Sequence, residues 1–222
     1  RLDAAWGGVI LCEESHDNEL NGVDIHGGSF GIHATEPALS GQNKFTLLNS
    51  SVHNVSGHGL YLENVKATVM NSQISNAGGN CVTAIGGDYL FIHATLAQFY
   101  PWNATHGSAL YFANVMESIE HPLKNIEFRN SIITGYADDE IFADRMPDSD
   151  ADFNYLFSCS LVNTVTSDND APYFAGCVFD KEDKDNTDNV REGNFRLVDT
   201  DNYIYDFRLS EQSRARGLAD AA

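Results

Sequence analysis

The residue types most able to do chemistry fall in three places along the chain. Ser56-Gly57-His58-Gly59 sets an imidazole between glycines, where a backbone or a ligand can approach closely. Asp138-Asp139-Glu140, with Asp144 and Arg145 just beyond, is the densest group of carboxylates that precedes a strand-like segment. Asp138, Asp139 and Glu140 therefore stand, with His58, as the candidate acid–base groups, because hydrolysis at a glycosidic centre needs one carboxyl as acid and another to activate water. The third place is a set of aromatics at regular intervals: Tyr61, Tyr111 and Phe142, with His33 upstream and Tyr100 and Trp102 in the long interval 97–127. Aromatic faces of this kind stack on the C–H face of a sugar ring while hydroxyls reach neighbouring polar groups, so these six residues are the candidate ligand-binding set.

Two acidic runs, 148–152 and 180–189, have the composition of Ca²⁺ loops but lack the glycine and glutamate that fix an EF-hand loop. They read as solvated loops. No metal or cofactor is expected, with Ca²⁺ at the 138–140 group as the one alternative.

These residues need elements to hold them, and one six-residue pattern recurs: apolar, any, polar corner, small, any, apolar. Its copies start at Leu20, Leu47, Val69, Phe91, Phe128, Leu156 and Phe174, and successive corners lie 27, 22, 22, 37, 28 and 18 positions apart. A coil of about 22 residues lengthened at particular turns is solenoid behaviour. The outer apolar residues are expected to point inward, the corner Asn, Ser or Gly to take the left-handed backbone, and stacked Asn to hydrogen-bond along the axis. A second series runs Gly8-Val9-Ile10-Leu11, Gly31-Ile32-His33-Ala34, Gly59-Leu60-Tyr61-Leu62, Cys81-Val82-Thr83-Ala84, Ala109-Leu110-Tyr111-Phe112 and Glu140-Ile141-Phe142-Ala143. Period-two alternation buries the second and fourth residues and turns Ile10, His33, Tyr61, Thr83, Tyr111 and Phe142 outward on one face. Tyr61 and Tyr111, two coils apart, would stand about 10 Å from each other, and the loop between Leu96 and Phe128 would wall a cleft beside Tyr111 or fold back over exposed sheet. The predicted fold is all-β: a single right-handed parallel β-helix over 1–222 with about seven or more coils. The last regular coil is expected near 174–179, and 180–222 as an irregular C-terminal coil or cap.

Composition narrows the partners. Thirteen basic against 32 acidic residues give a net charge of −19, which disfavours nucleic acid and anionic membrane surfaces, and no apolar run is long enough to span a bilayer. The segment from Trp6 to Leu11 reads as a buried strand, so N-terminal coils of a longer precursor are expected before it. Cys12, Cys81, Cys159 and Cys177 lack CxxC spacing and read as buried thiols, with Cys159 and Cys177 stacked at one repeat position.

Trp6-Gly7-Gly8-Val9-Ile10, the stretch from Ser51 to Tyr61, the stretch from Ser75 to Val82, and the ending Asp206-Phe207-Arg208-Leu209 with Ala215 to Asp220 resemble the right-handed β-helix proteins of the pectate-lyase-like superfamily. More narrowly they resemble uncharacterised secreted or lipid-anchored surface proteins of Bacteroidetes-type bacteria. The resemblance implies the fold, an extracytoplasmic location and saccharide clefts along one strand face; it brings no established activity. Arg214 stands where that pattern has proline, a departure expected to loosen the terminus. Gly57-His58-Gly59 resembles the Gly-His-Gly of polygalacturonase-like hydrolases, but the adjacent coils offer no carboxylate pair in matching register, and the glycines are expected to mark the bend before Leu60. The expected activity is therefore non-catalytic: a surface β-helix that binds a glycan or serves a structural or adhesive role. The alternative is a polysaccharide lyase or glycoside hydrolase using the 138–140 carboxylates with His33 or His58.

Overall fold

The computed structural model describes residues 6–165, 173–180 and 192–220. The chain folds as a parallel β-helix whose three sheets each gather one strand from successive coils. The first sheet holds Val9–Leu11, Ile32–Thr35, Leu60–Glu63, Val82–Ile85, Leu110–Ala113 and Ile141–Asp144. The second holds Asn18–Asn21, Asn43–Leu48, Lys66–Met70, Gly87–Ile92, Leu123–Arg129, Phe153–Ser158 and Phe174–Ala175. The third holds Asp24–His26, Ser51–Val55, Gln73–Ala77, Thr95–Gln98, Ile132–Gly135, Leu161–Val162 and Val178–Phe179. Every neighbouring pair in the three sheets is parallel, as stacking of identical coils requires. Among the described residues the second and third sheets each hold seven strands, in keeping with the expected solenoid of about seven or more coils.

The interior is made of columns. In the second sheet Leu20, Leu47, Val69, Phe91, Phe128, Phe157 and Phe174 align in register, and the four phenylalanines stack nearly parallel with centroids 4.3, 5.4 and 5.0 Å apart. The third sheet contributes Ile25, Val52, Ile74, Leu96, Ile133, Val162 and Phe179. Burying each such side chain stabilises the fold by about 1.5–3 kcal/mol, which only stacking can provide because a lone coil leaves its inward face open.

The corner between the second and third sheets carries a second device. Asn49, Asn71, His93, Asn130, Cys159 and Gly176 all have positive φ, and Asn49 donates to Asn21 Oδ1 at 3.0 Å while Asn71 donates to Asn49 Oδ1 at 3.4 Å. The small residue after the corner is more than a space-saver. Ser50, Ser72, Ser131 and Ser160 are buried, and each hydroxyl donates to the carbonyl two residues back. Each also accepts from a backbone N–H in the preceding coil, those of Val23, Ser50, Ala94 and Ser131. Serine thus satisfies amides that the bend removes from the strand ladders.

Several expectations need correction. The copy beginning at Leu156 is out of frame by one: Phe157 is the inward residue, Cys159 the left-handed corner and Ser160 the ladder serine. Successive corners there are 29 and 17 positions apart. Cys159 and Cys177 consequently do not share a repeat position; Cys159 aligns with Gly176, and both thiols are free and half-buried. Cys81 is buried as expected, but Cys12 is exposed. In the segment 6–11, Val9–Leu11 pairs with Ile32–Thr35; Val9 and Leu11 are half-buried against the core, and Ile10, on the outward row, is 64% exposed. Arg214 does not free the terminus, since its guanidinium donates to Asp180, a buried carboxylate that also accepts from Asn194. Apart from Asp180, the acidic run 180–189 lies outside the described residues.

Within 192–220, Phe195–Asp199 and Ile204–Leu209 pair antiparallel. This hairpin lies against the outer side of the third sheet, where Phe195, Phe207 and Leu209 pack with Ala97, Phe99, Ile132 and Leu161.

Candidate functional site

The predicted outward row is in exact register across the six strands of the first sheet: Ile10, His33, Tyr61, Thr83, Tyr111 and Phe142. It does not form one continuous surface. On the upper coils His33 meets Tyr61 edge-on at 4.7 Å, and the Tyr61 hydroxyl donates to Met116 Sδ at 3.5 Å. Met116 belongs to a tight hairpin, Val115–Met116 with Ile119–Glu120, turned through Glu117 and Ser118, both at positive φ. Burial, with Glu63 nearby, pushes the Tyr61 phenol above its ordinary range.

The middle of the row is closed. Thr83 is buried, and its hydroxyl accepts from Asn80 Nδ2 at 2.9 Å and lies 3.0 Å from His58 Nδ1. The Asn80 backbone N–H also donates to His58 Nδ1 at 3.1 Å. That nitrogen is therefore an acceptor, which places the proton of the neutral ring on Nε2. Burial, reinforced by nearby His33, holds the His58 pKa below its usual 6.5. The flanking glycines sit where coils press together: a Cβ on Gly57 would meet Ser29 O at 2.6 Å and one on Gly59 would meet Cys81 O at 2.5 Å. His58 is thus a neutral, hydrogen-bonded residue at a crowded bend.

The lower end of the row is open. Tyr111 and Phe142 floor a cleft of about 500 Å³, with Phe142 49% exposed. Its walls come from the bend between the third and first sheets in successive coils, lengthened in the first, where Leu110 follows Leu96 by 14 positions, and of ordinary length in the second, where Ile141 follows Ile133 by 8 as Val82 follows Ile74. One wall is the loop ending in Ala104, His106 and Gly107; the other is Tyr136, Ala137 and Asp139; Asn80 and Ser108 close the upper end. The Tyr111 hydroxyl donates to Asp144 Oδ2 at 3.4 Å, and burial with that carboxylate raises the phenol's pKa.

Both walls are fixed by buried polar side chains. Gln98 is fully buried, and its amide donates to the carbonyls of Ala77, Gly79 and Gly107 while its oxygen accepts from Ala77 N. Gly107 has no room for a side chain, since a Cβ would stand 2.4 Å from Asn80 Oδ1. On the other wall Glu140 is the key. In the regular ladder the backbone N–H of one coil's bend donates to the carbonyl one step earlier on the next: Gly31 to His58, Gly59 to Asn80, Cys81 to Ser108. Where the 136–139 loop departs, Ala109 N donates instead to Glu140 Oε2 at 2.7 Å, and Ala137 N donates to Oε1 at 2.8 Å. Asn163 Nδ2 anchors the same loop through Ala137 O at 2.8 Å.

The candidate acid–base set is thereby dispersed. Glu140 is 0% exposed and replaces a missing ladder acceptor; Asp139 lines the cleft with Oδ1 accepting from Ile141 N at 3.1 Å; Asp138 is exposed on the loop, outside the residues lining the cleft. Among the aromatic candidates the cleft gathers Tyr111 and Phe142 and leaves His33 and Tyr61 at the upper coils. Tyr100 is nearly buried and lines an adjoining depression, while Trp102 stacks on Tyr203 of the C-terminal hairpin at 5.4 Å. Asn80, His106, Ser108 and Tyr136 were not singled out from sequence; the signal for His106 and Ser108 was the lengthened span from Leu96 to Leu110, and Asn80 and Tyr136 carried none. Among the described residues no group of three or more His, Cys, Asp or Glu side chains is placed to hold a metal ion, and no helix is long and apolar enough to cross a membrane. Compared with known proteins, the chain matches no family model, no curated protein and no solved structure.

Proposed function

We propose that the protein is a secreted or surface-exposed β-helix that binds a glycan without cleaving it, in the cleft over Tyr111 and Phe142. The observation that carries this reading is the solvent-open cleft itself, floored by two outward aromatics on adjacent strands and walled by Asn80, Ser108, His106 and Asp139. Aromatic faces supply apolar area for pyranose C–H groups, and the polar walls supply directional partners for hydroxyls. The sequence's likeness to pectate-lyase-like proteins, in which saccharide clefts lie along a strand face, supports the same reading and an extracytoplasmic location. Binding without cleavage is favoured because His58 uses Nδ1 as an acceptor and Glu140 uses both oxygens to hold backbone amides. The test is a polysaccharide array probed with the wild type, Tyr111→Ala and Phe142→Ala, followed by assay for new reducing ends or unsaturated products. Retention of a polysaccharide that either variant weakens at least about tenfold, with the polymer intact, is expected. Retention of none removes the glycan reading, and product release that persists until Asp139 is replaced converts it to an enzyme.

A further inference from the structure

We propose that the bound chain crosses the solenoid instead of running along it. It would leave the cleft over Tyr111 and Phe142, pass His106 and Tyr136, and enter a second subsite closed by the turn of the C-terminal hairpin. This inference rests on the glycan reading and assigns that ligand a direction, a minimum length and a charge class.

The path along the axis is blocked toward the upper coils. Toward the upper coils Thr83 is buried and engaged by Asn80 and His58, so the aromatic row is interrupted immediately above Tyr111. The lateral path is open. A second depression of about 320 Å³ adjoins the cleft and shares Ala104, His106 and Tyr136 with it; its far side is formed by Tyr100, Asn103, Thr200 and Asp201. Thr200 and Asp201 belong to the turn between the two strands of the C-terminal hairpin.

That far side is held as firmly as the cleft. Trp102 stacks on Tyr203, the Tyr205 hydroxyl donates to Phe99 O at 3.4 Å, and Phe99 meets Tyr136 edge-on at 5.0 Å and stacks on Phe207. The hairpin, the 99–107 loop and the shared aromatic Tyr136 therefore form one packed unit, and the hairpin has a use beyond covering the third sheet. Charge selects the class of chain. Asp139 lines one depression and Asp201 the other, and no Lys or Arg lines either among the described residues. A uronic acid or sulfated sugar would bring its charge against these carboxylates with no cation to pair it, so the ligand is a non-acidic oligosaccharide long enough to occupy both subsites.

Calorimetric titration with size ladders of xylo-, manno-, gluco- and galacto-oligosaccharides, from monosaccharide to octasaccharide, tests this beside an oligogalacturonate ladder. Affinity for at least one neutral ladder should rise about tenfold or more once the chain spans both subsites. The double variant Thr200→Ala, Asp201→Ala should remove that gain and leave short oligomers unaffected. Tyr111→Ala should weaken every length. Affinity that does not grow with length, a double variant equal to the wild type on long oligomers, or oligogalacturonate bound as tightly as the neutral ladders would overturn the inference while glycan binding stands. Binding to none of the ladders would remove both.

Discussion

Glu140 offers the sharpest separation between a structural and a catalytic carboxylate. Glu140→Ala takes the acceptor from Ala109 N, which is fully buried, and from Ala137 N, on a loop open to water. An unsatisfied buried amide costs about 1–3 kcal/mol and the loss of a partly wet one about 0.5–1.5, so destabilisation of about 2–4 kcal/mol is expected. Glu140→Gln keeps one acceptor oxygen but turns its amide toward the second N–H, and should cost about 1–2 kcal/mol. The order wild type, Gln, Ala should appear in urea midpoints. Hydrogen exchange should localise the effect, with the Ala109 amide losing protection in both variants and the inner coils least affected, since stability in a solenoid is carried by neighbouring repeats. If Glu140→Ala leaves the Ala109 amide as protected as in the wild type, the ladder-replacement argument is wrong. A stable Glu140→Gln variant that lost an enzymatic activity would return Glu140 to chemistry.

Ser72→Ala removes the hydroxyl that accepts Ser50 N at 3.1 Å in a buried corner and should lower stability by about 1–3 kcal/mol in urea denaturation; a change within about 0.3 kcal/mol would show that the serine ladder only fills space. The lowered pKa of His58 means that the unfolded chain takes up a proton first as pH falls. The contribution of His58 to stability is therefore complete above about pH 6.5 and declines below it until the folded-state pKa is reached. His53 is shifted the same way, chiefly by burial, so His58→Gln should lessen the slope of stability between pH 7 and 5 without abolishing it, and an unchanged slope would contradict the assignment.

The inner register was legible because period two and the repeat spacing both constrain it: the columns through Val69 and Ile74 could be read from apolar positions alone. The frame at Leu156 was not, because Leu156 and Phe157 are both apolar and the left-handed corner falls on Cys159, a residue type that does not announce positive φ. The arbiter was in the sequence. Ser50, Ser72 and Ser131 each follow their corner, and asking for the same serine in the next coil selects Ser160 and fixes Cys159. Composition could not reveal that serine was satisfying a backbone amide, because a small residue and a hydrogen-bonding residue are the same letter there.

The candidate site was half legible for a related reason. The first residue of each outward quartet runs Gly8, Gly31, Gly59, Cys81, Ala109, then Glu140. Five small residues mark a position pressed against the next coil, where a Cβ on Gly31 would stand 2.2 Å from Gly59 O. A glutamate can follow them only where the neighbouring backbone has moved aside, and a charge in that interior must then recover its hydrogen bonds from whatever amides the departure exposed. The anomaly at Glu140 therefore signals a displaced loop, not an acid poised above the sheet. Ala137 and Asp139 of that loop line the cleft over Tyr111 and Phe142, so the residue that reads most like a catalyst holds a wall of the cleft and does not reach into it.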